Sequence, residues 1–269
     1  MIDKTILLYA EQGLGDTLQF CRYIPMVEAL GAKAILRVPE SLSKLVSTLK
    51  GKFQIITDEK LVPACDYQCP LLSLPLAFKT TVETIPSGTY LYADPVKKIQ
   101  WQEALGVKTK PRIGIVWSGS KDHNNDLNRS VLFNTFSVLV SSELADYFDF
   151  HCLQKEIRPG DKGSLSHSPV KAHMADLRDF SDTAALISEM DLVISVDTAV
   201  VHLAGALGKP VWVLLPFAPD FRWLTEREDS PWYPTVRLFR QKQSGDWEGV
   251  MEAIMEAAHS LKPSIGEIR

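Results

Sequence analysis

Short apolar runs alternate with helical patterns along almost the whole chain. TILLYA, KAILRV and FQIIT predict three strands in the first part, separated by DTLQFCRYIPMVEALG and SLSKLVSTLK, whose apolar residues recur at helical spacing. After a proline-rich middle from Pro63 to Pro111, the runs RIGIVW, FDFHCL, KAHMA, LVISV and VWVLL follow. They are interleaved with the helix-like LFNTFSVLVSSEL, DTAALISEM and AVVHLAGALG. The apolar runs do not alternate with polar residues, as is expected of parallel strands covered on both faces. Strands and helices in this order predict an α/β fold with right-handed crossovers. The break in the middle predicts two Rossmann-like domains with parallel sheets, over 1–108 and 109–245, and a C-terminal helix over 246–262 that can pack on either.

Composition narrows the function without naming it. The 269 residues are 45% hydrophobic and 23% charged, enough for a full core without disulfide or metal staples. With 29 basic and 33 acidic residues the net charge is −4, and no basic block suggests a nucleic-acid partner. The N-terminal apolar run is too short for a signal peptide and no run reaches membrane-span length, so a cytoplasmic protein is expected. The four cysteines form no disulfide framework. Cys65 and Cys69, in CDYQC, resemble half a metal site, but no second pair exists, so no metal and no cofactor are expected.

Three segments carry candidate chemistry. In LVISVDTAVVHLAGALGKPVWVLLP, Asp197 and Thr198 follow an apolar strand directly, which puts them at the carboxyl edge of a parallel sheet, where such folds bind ligands. The helix begins with small residues, leaving the amides of Ala199 and Val200 approachable by an anion, with His202 one turn on. The alternative is plain helix capping by Asp and Thr. The chain holds its own control, Asp182-Thr183-Ala184, which opens DTAALISEM and needs nothing beyond capping. In AEQGLGDTLQF, Gly13 and Gly15 suit a tight turn with positive φ. No third glycine completes a dinucleotide fingerprint and no phosphate-loop motif occurs, so Asp16 is either an N-cap or a general base facing the second domain. The long polar loop WSGSKDHNNDLNRS offers Ser118, Ser120, Lys121 and Arg129 to a diphosphate, or is simply solvated. PFAPDFRW and EDSPWYP rim the region near Arg222 and Trp223; packing explains them equally well, and no chemistry is assigned there.

Together, AEQGLGDTLQF, GIVWSGS followed by NRS, and DLVISVDTAVVHLAGALGKPVWVLLPFAPDFRW resemble family 9 glycosyltransferases, with the likeness running from about Thr5 to about Leu261. The likeness is nearest the branch at the C-terminus of bacterial tetratricopeptide-repeat proteins, and the characterised relatives are ADP-heptose:lipopolysaccharide heptosyltransferases. It implies a GT-B fold: two Rossmann-like domains facing across a cleft, nucleotide-sugar donor on the second and acceptor on the first. It also implies Asp16 as catalytic base, Arg129 as a phosphate contact, and Asp197, Thr198, Ala199 and His202 as the diphosphate and sugar site. The acceptor implied is a glycan, a lipid-linked glycan or a protein. Asp-x-Asp is absent from the sequence, so leaving-group charge is expected to be met by protein donors without a metal. A nucleotide-sugar binding module without turnover and a nucleotide-sugar epimerase are the competing readings.

Overall fold

A computed structural model describes residues 1–141 and 143–261. The first sheet contains β1 (Thr5–Tyr9), β2 (Lys33–Arg37), β3 (Gln54–Ile56) and β4 (Tyr67–Pro70) in the order β3-β2-β1-β4. Helices α1 (Leu14–Phe20), α2 (Ile24–Ala29), α3 (Glu40–Val46) and α4 (Leu74–Ala77) surround it. The predicted helix DTLQFCRYIPMVEALG is split in two by a 3-10 turn at Cys21–Tyr23, and Pro25 falls in the first turn of α2, where its missing amide breaks no helical bond.

Helix α5 (Pro95–Leu105) leads into the second sheet, which contains β5 (Arg112–Val116), β6 (Asp149–Cys152), β7 (Lys171–Ala172), β8 (Leu192–Val196), β9 (Val211–Leu215) and β10 (Val236–Arg240). Its order is β10-β9-β8-β5-β6-β7 and every ladder in both sheets is parallel. Between these strands come α6 (Asp126–Arg129), α7 (Phe133–Val140), α8 (Lys162–Ser166), α9 (Phe180–Ser188) and α10 (Ala199–Ala206), and α11 (Trp247–His259) follows β10. Renumbered from β5, this is the doubly wound order 3-2-1-4-5-6, which reverses direction between β5 and β8. The loops that leave those two strands are WSGSKDHNNDLNRS and Asp197-Thr198. In the first sheet the reversal lies beside β1, whose exit is the glycine loop. Topology therefore brings all three sequence-marked segments to the sheet edges at which such folds bind ligands.

One hydrophobic core runs through both sheets' domains, joining Leu8, Leu18 and Tyr23 to Val201, Leu203 and Tyr233. A second core under the other face of the second sheet takes Val250, Met251 and Ile254 of α11, which lies against α7 and β10. Residue 262, the end of the expected C-terminal helix, lies outside the described residues. On the far side, α9 receives α3 and α5: Lys44 Nζ reaches Asp179 at 2.9 Å, and Lys97 Nζ meets Asp179 at 3.3 Å and Ser181 at 2.6 Å.

Two glycine and capping expectations change here. Gly13 is the N-cap of α1 at φ −68°, and Gly15 is not among the positive-φ residues, so the loop needs no left-handed backbone. Asp182 does not open its helix. Asp179 is the N-cap, accepting from the amides of Ser181 and Asp182, while Asp182 closes the capping box from the third helical position.

Candidate active site

Helix α1 of the first domain lies against α10 of the second. Gly15 makes this contact possible: a Cβ there would fall 2.8 Å from His202 Cδ2 and 3.4 Å from the Ala199 Cα. The glycine is present for close approach, and the approach carries the next residue, Asp16, to the second domain.

Asp16 Oδ2 accepts from the Gly13 amide at 2.9 Å, a local cap, and Oδ1 accepts from Arg222 Nη2 at 2.7 Å. The capping and interdomain roles are therefore both filled, one by each oxygen. Arg222 stands on a 3-10 turn at Phe221–Trp223 whose N-cap, Asp220, accepts from the Arg222 amide. Its Nε lies 2.9 Å from Asp220 Oδ1, and its Nη1 lies 3.4 Å from His202 Nε2. Only 10% of the side chain is exposed. Burial alone would lower its pKa, but Asp16 and Asp220 hold it above the ordinary value. The sequence reading assigned Arg222 no chemistry, and the structure places it at the centre of the constellation.

His202 is buried, and burial, aided by Arg222 and Arg22, holds its pKa well below the ordinary value. Because a guanidinium only donates, Nε2 accepts from Arg222 and the proton sits on Nδ1, which donates to Tyr233 Oη at 3.0 Å. The ring stacks on Trp223 at 5.6 Å. Behind it, Tyr90 Oη lies 3.5 Å from Tyr233 Oη and donates to the Leu18 carbonyl at the end of α1. Arg22 closes this assembly. Its Cζ sits 4.6 Å from the Tyr90 ring centre and 4.5 Å from that of Tyr233. It donates to the carbonyls of Gln19, Pro86 and Trp232 and to Tyr90 Oη. This buried arginine, also absent from the sequence reading, ties the first domain to the segment that follows β9.

At the mouth of α10, Thr198 is the N-cap by position, with φ −143° and ψ 172°, yet its side chain caps no amide. Its hydroxyl instead lies 3.2 Å from Ser195 Oγ. Side-chain capping therefore does not explain Thr198, and among the described residues no side chain caps the amides of Ala199 and Val200. Asp197 does not cap either. Burial pushes its carboxyl pKa up, against the opposing effects of the Trp223 indole and the Arg222 cation. Its carbonyl accepts from Arg129 Nη1 at 2.9 Å. Burial lowers the Arg129 pKa in turn. Arg129 thus stands beside the Asp197-Thr198 turn.

The remaining loop residues divide. Ser118 is buried and its hydroxyl accepts from Gln154 Nε2 at 3.1 Å, so it shapes the loop from within. Ser120 is exposed, its hydroxyl accepting from the Asp122 amide, and its carbonyl faces Arg129 Nη2 at 3.5 Å. Lys121 points to solvent and lines a depression of about 490 Å³ with His123, Asn124 and Arg158. The structure thus gathers Gly15, Asp16, Arg129, Asp197, Thr198, Ala199 and His202, and leaves Ser118, Ser120 and Lys121 in the flanking loop.

A family model described as glycosyltransferase family 9 (heptosyltransferase) matches residues 169–219, the segment from β7 through α10 and β9. Protein FlbA of Caulobacter vibrioides is 27% identical over 292 residues, covering 97% of this chain and 47% of FlbA, so the chain spans about half the length of that relative. A family 9 glycosyl transferase from Veillonella parvula superposes with a TM-score of 0.67 at 11% identity, covering 97% of this chain and 98% of the other. The ADP-heptose lps heptosyltransferase II of E. coli superposes at 0.59 and 12% identity, covering 95% and 99%. The chain has the GT-B fold throughout, and the segment that holds Asp197, Thr198 and His202 carries the sequence pattern of glycosyltransferase family 9.

Proposed function

We propose that the protein transfers a sugar from a nucleotide-diphosphate donor to an acceptor hydroxyl by direct displacement at the anomeric carbon. One observation carries this reading: a carboxylate from the first domain, Asp16, is joined through one guanidinium to His202, on the first turns of a second-domain helix whose N-terminal amides are uncapped. Asp16 removes the acceptor proton. The amides of Ala199 and Val200, the Thr198 hydroxyl and Arg129 meet the charge of the departing diphosphate without a metal. The acceptor is a glycan, a lipid-linked glycan or a protein. The E. coli structural relative is an ADP-heptose transferase, which makes ADP-heptose the first donor to test. Among the described residues no helix is long and apolar enough to cross a membrane, and all four cysteines are free. We assign the reaction to the cytoplasm.

A second reading, a sugar-nucleotide binding module without turnover, is favoured by one feature: both Asp16 oxygens already hold partners. A thermal-unfolding series with ADP-, UDP-, GDP- and dTDP-sugars, followed by product analysis with candidate acceptors, decides between them. Ligand at about a hundred times its dissociation constant adds about 2.7 kcal/mol of stability, a rise of roughly 5 °C or more at this size. Binding with transfer supports the enzyme, and binding without transfer supports the module. The absence of any shift across the four bases overturns both.

A further inference from the structure

Arg222 is a single buried cation reached from three directions: Asp16 from the first domain, His202 from α10, and Asp220 from its own turn. Around it three carboxylates (Asp16, Asp197, Asp220) meet two guanidinium groups (Arg222 and Arg129). A diphosphate arriving at the α10 N-terminus adds further negative charge beside Asp16. Arginine is the side chain best suited to exchange one anion for another, because its planar fork fits carboxylate and phosphate alike.

We infer that Arg222 is a positioning residue shared between Asp16 and the donor: it holds the carboxylate against α10 in this structure, and a docking diphosphate competes for it. This rests on the reading that α10 takes the donor's diphosphate. Competition has a mechanistic consequence. When the diphosphate draws the guanidinium away, Asp16 Oδ1 loses its partner and is free to take a proton, while Oδ2 stays fixed on the Gly13 amide. The base is then released only once the donor is in place, and an acceptor proton is not removed in its absence.

The test is a double-mutant cycle read by nucleoside diphosphate affinity, using ADP, UDP, GDP and dTDP on wild type, Asp16→Asn, Arg222→Gln and the double variant. Competition predicts that Asp16→Asn tightens binding by at least about fivefold. It further predicts that Arg222→Gln weakens binding, and that adding Asp16→Asn to Arg222→Gln changes affinity by less than about twofold. Unchanged affinity in Asp16→Asn overturns the inference. So does an equal tightening in the Arg222→Gln background, which would mean simple repulsion between Asp16 and the phosphates. If Arg222→Gln fails to fold, Arg222→Lys completes the cycle, since it keeps the charge and loses the fork. The effect of Asp16→Asn must then be smaller there than in wild type. If none of the four diphosphates binds the wild-type protein, the sugar-transfer reading itself fails, an outcome distinct from binding without coupling.

Discussion

Gly15→Ala is the sharpest probe of how the two domains meet. The added methyl would sit 2.8 Å from His202 Cδ2. Carbon atoms in contact prefer about 3.5–4.0 Å, so α1 must move away from α10 or the imidazole must turn. Overpacking of this kind costs about 1–3 kcal/mol, whereas replacing a helical glycine by alanine returns about 0.5–1 kcal/mol. A turned His202 also strains its bonds to Tyr233 and Arg222, adding about 1 kcal/mol. The net expectation is a loss of about 1–3 kcal/mol in urea unfolding. Gly163→Ala is the matched control: it too is the second residue of a short helix, but its Cβ would meet nothing within 4 Å. That variant should be neutral or more stable by up to about 1 kcal/mol. Because displacement of α1 carries Asp16 off Arg222, Gly15→Ala should also lose transfer by up to about 10²-fold. If Gly15→Ala unfolds at the same urea concentration as Gly163→Ala, the close contact between α1 and α10 does not exist in solution.

Other variants read other parts of the argument. Arg22→Met leaves the carbonyls of Gln19, Pro86 and Trp232 without their buried donor and should cost about 3–5 kcal/mol in urea unfolding; a loss below about 1 kcal/mol would remove Arg22 as the interdomain tie. The N-termini of α9 and α10 should separate stability from binding. Asp179→Ala removes a true cap and should cost about 1–2 kcal/mol with sugar-nucleotide affinity unchanged. Thr198→Ala should weaken that affinity while costing less than about 1 kcal/mol, since its hydroxyl caps nothing. Burial, with His173 beside it, pushes His151 down to about 4. An unfolded histidine titrates near 6.5, so the unfolded chain takes up the proton first as pH falls. Stability is therefore full above about pH 6.5 and declines toward pH 4, and His151→Leu should flatten that decline in urea midpoints measured across the window.

The strands most legible in the sequence are the central ones, because burial on two faces leaves an uninterrupted apolar run. β8 and β9 are of this kind, with all five residues of each buried. The edge strands β3 and β7 are also legible, from FQIIT and KAHMA. β4 and β10 are not legible because polar or charged residues interrupt their apolar runs. β4 reads YQCP with its first two residues exposed, and β10 places Arg237 and Arg240 among its apolar positions. Candidate residues in the first segment after a strand are legible for a similar local reason, as with Asp197 and Thr198 directly after β8 and Asp16 and His202 in the helices that follow β1 and β8. Arg222 is not, since its meaning depends on Asp16, which is 206 positions away. The same holds for Arg22, whose Trp232 partner is 210 positions away. The one available signal was a cation beyond the end of a central strand, in a segment whose aromatic residues suggested only packing. The Gly13-x-Gly15 spacing suggests backbone freedom, whereas the structure uses the side chain that Gly15 lacks.

The central claim is that Asp16 removes the acceptor proton at a site built around the α10 N-terminus. The most direct measurement is single-turnover transfer by Asp16→Asn, with a donor shown to bind and an acceptor shown to be used by the wild-type protein. Loss of a placed general base predicts a rate lower by about 10²–10⁴ with no loss of donor affinity, which competition for Arg222 predicts to rise. Transfer at a rate near wild type would contradict the account.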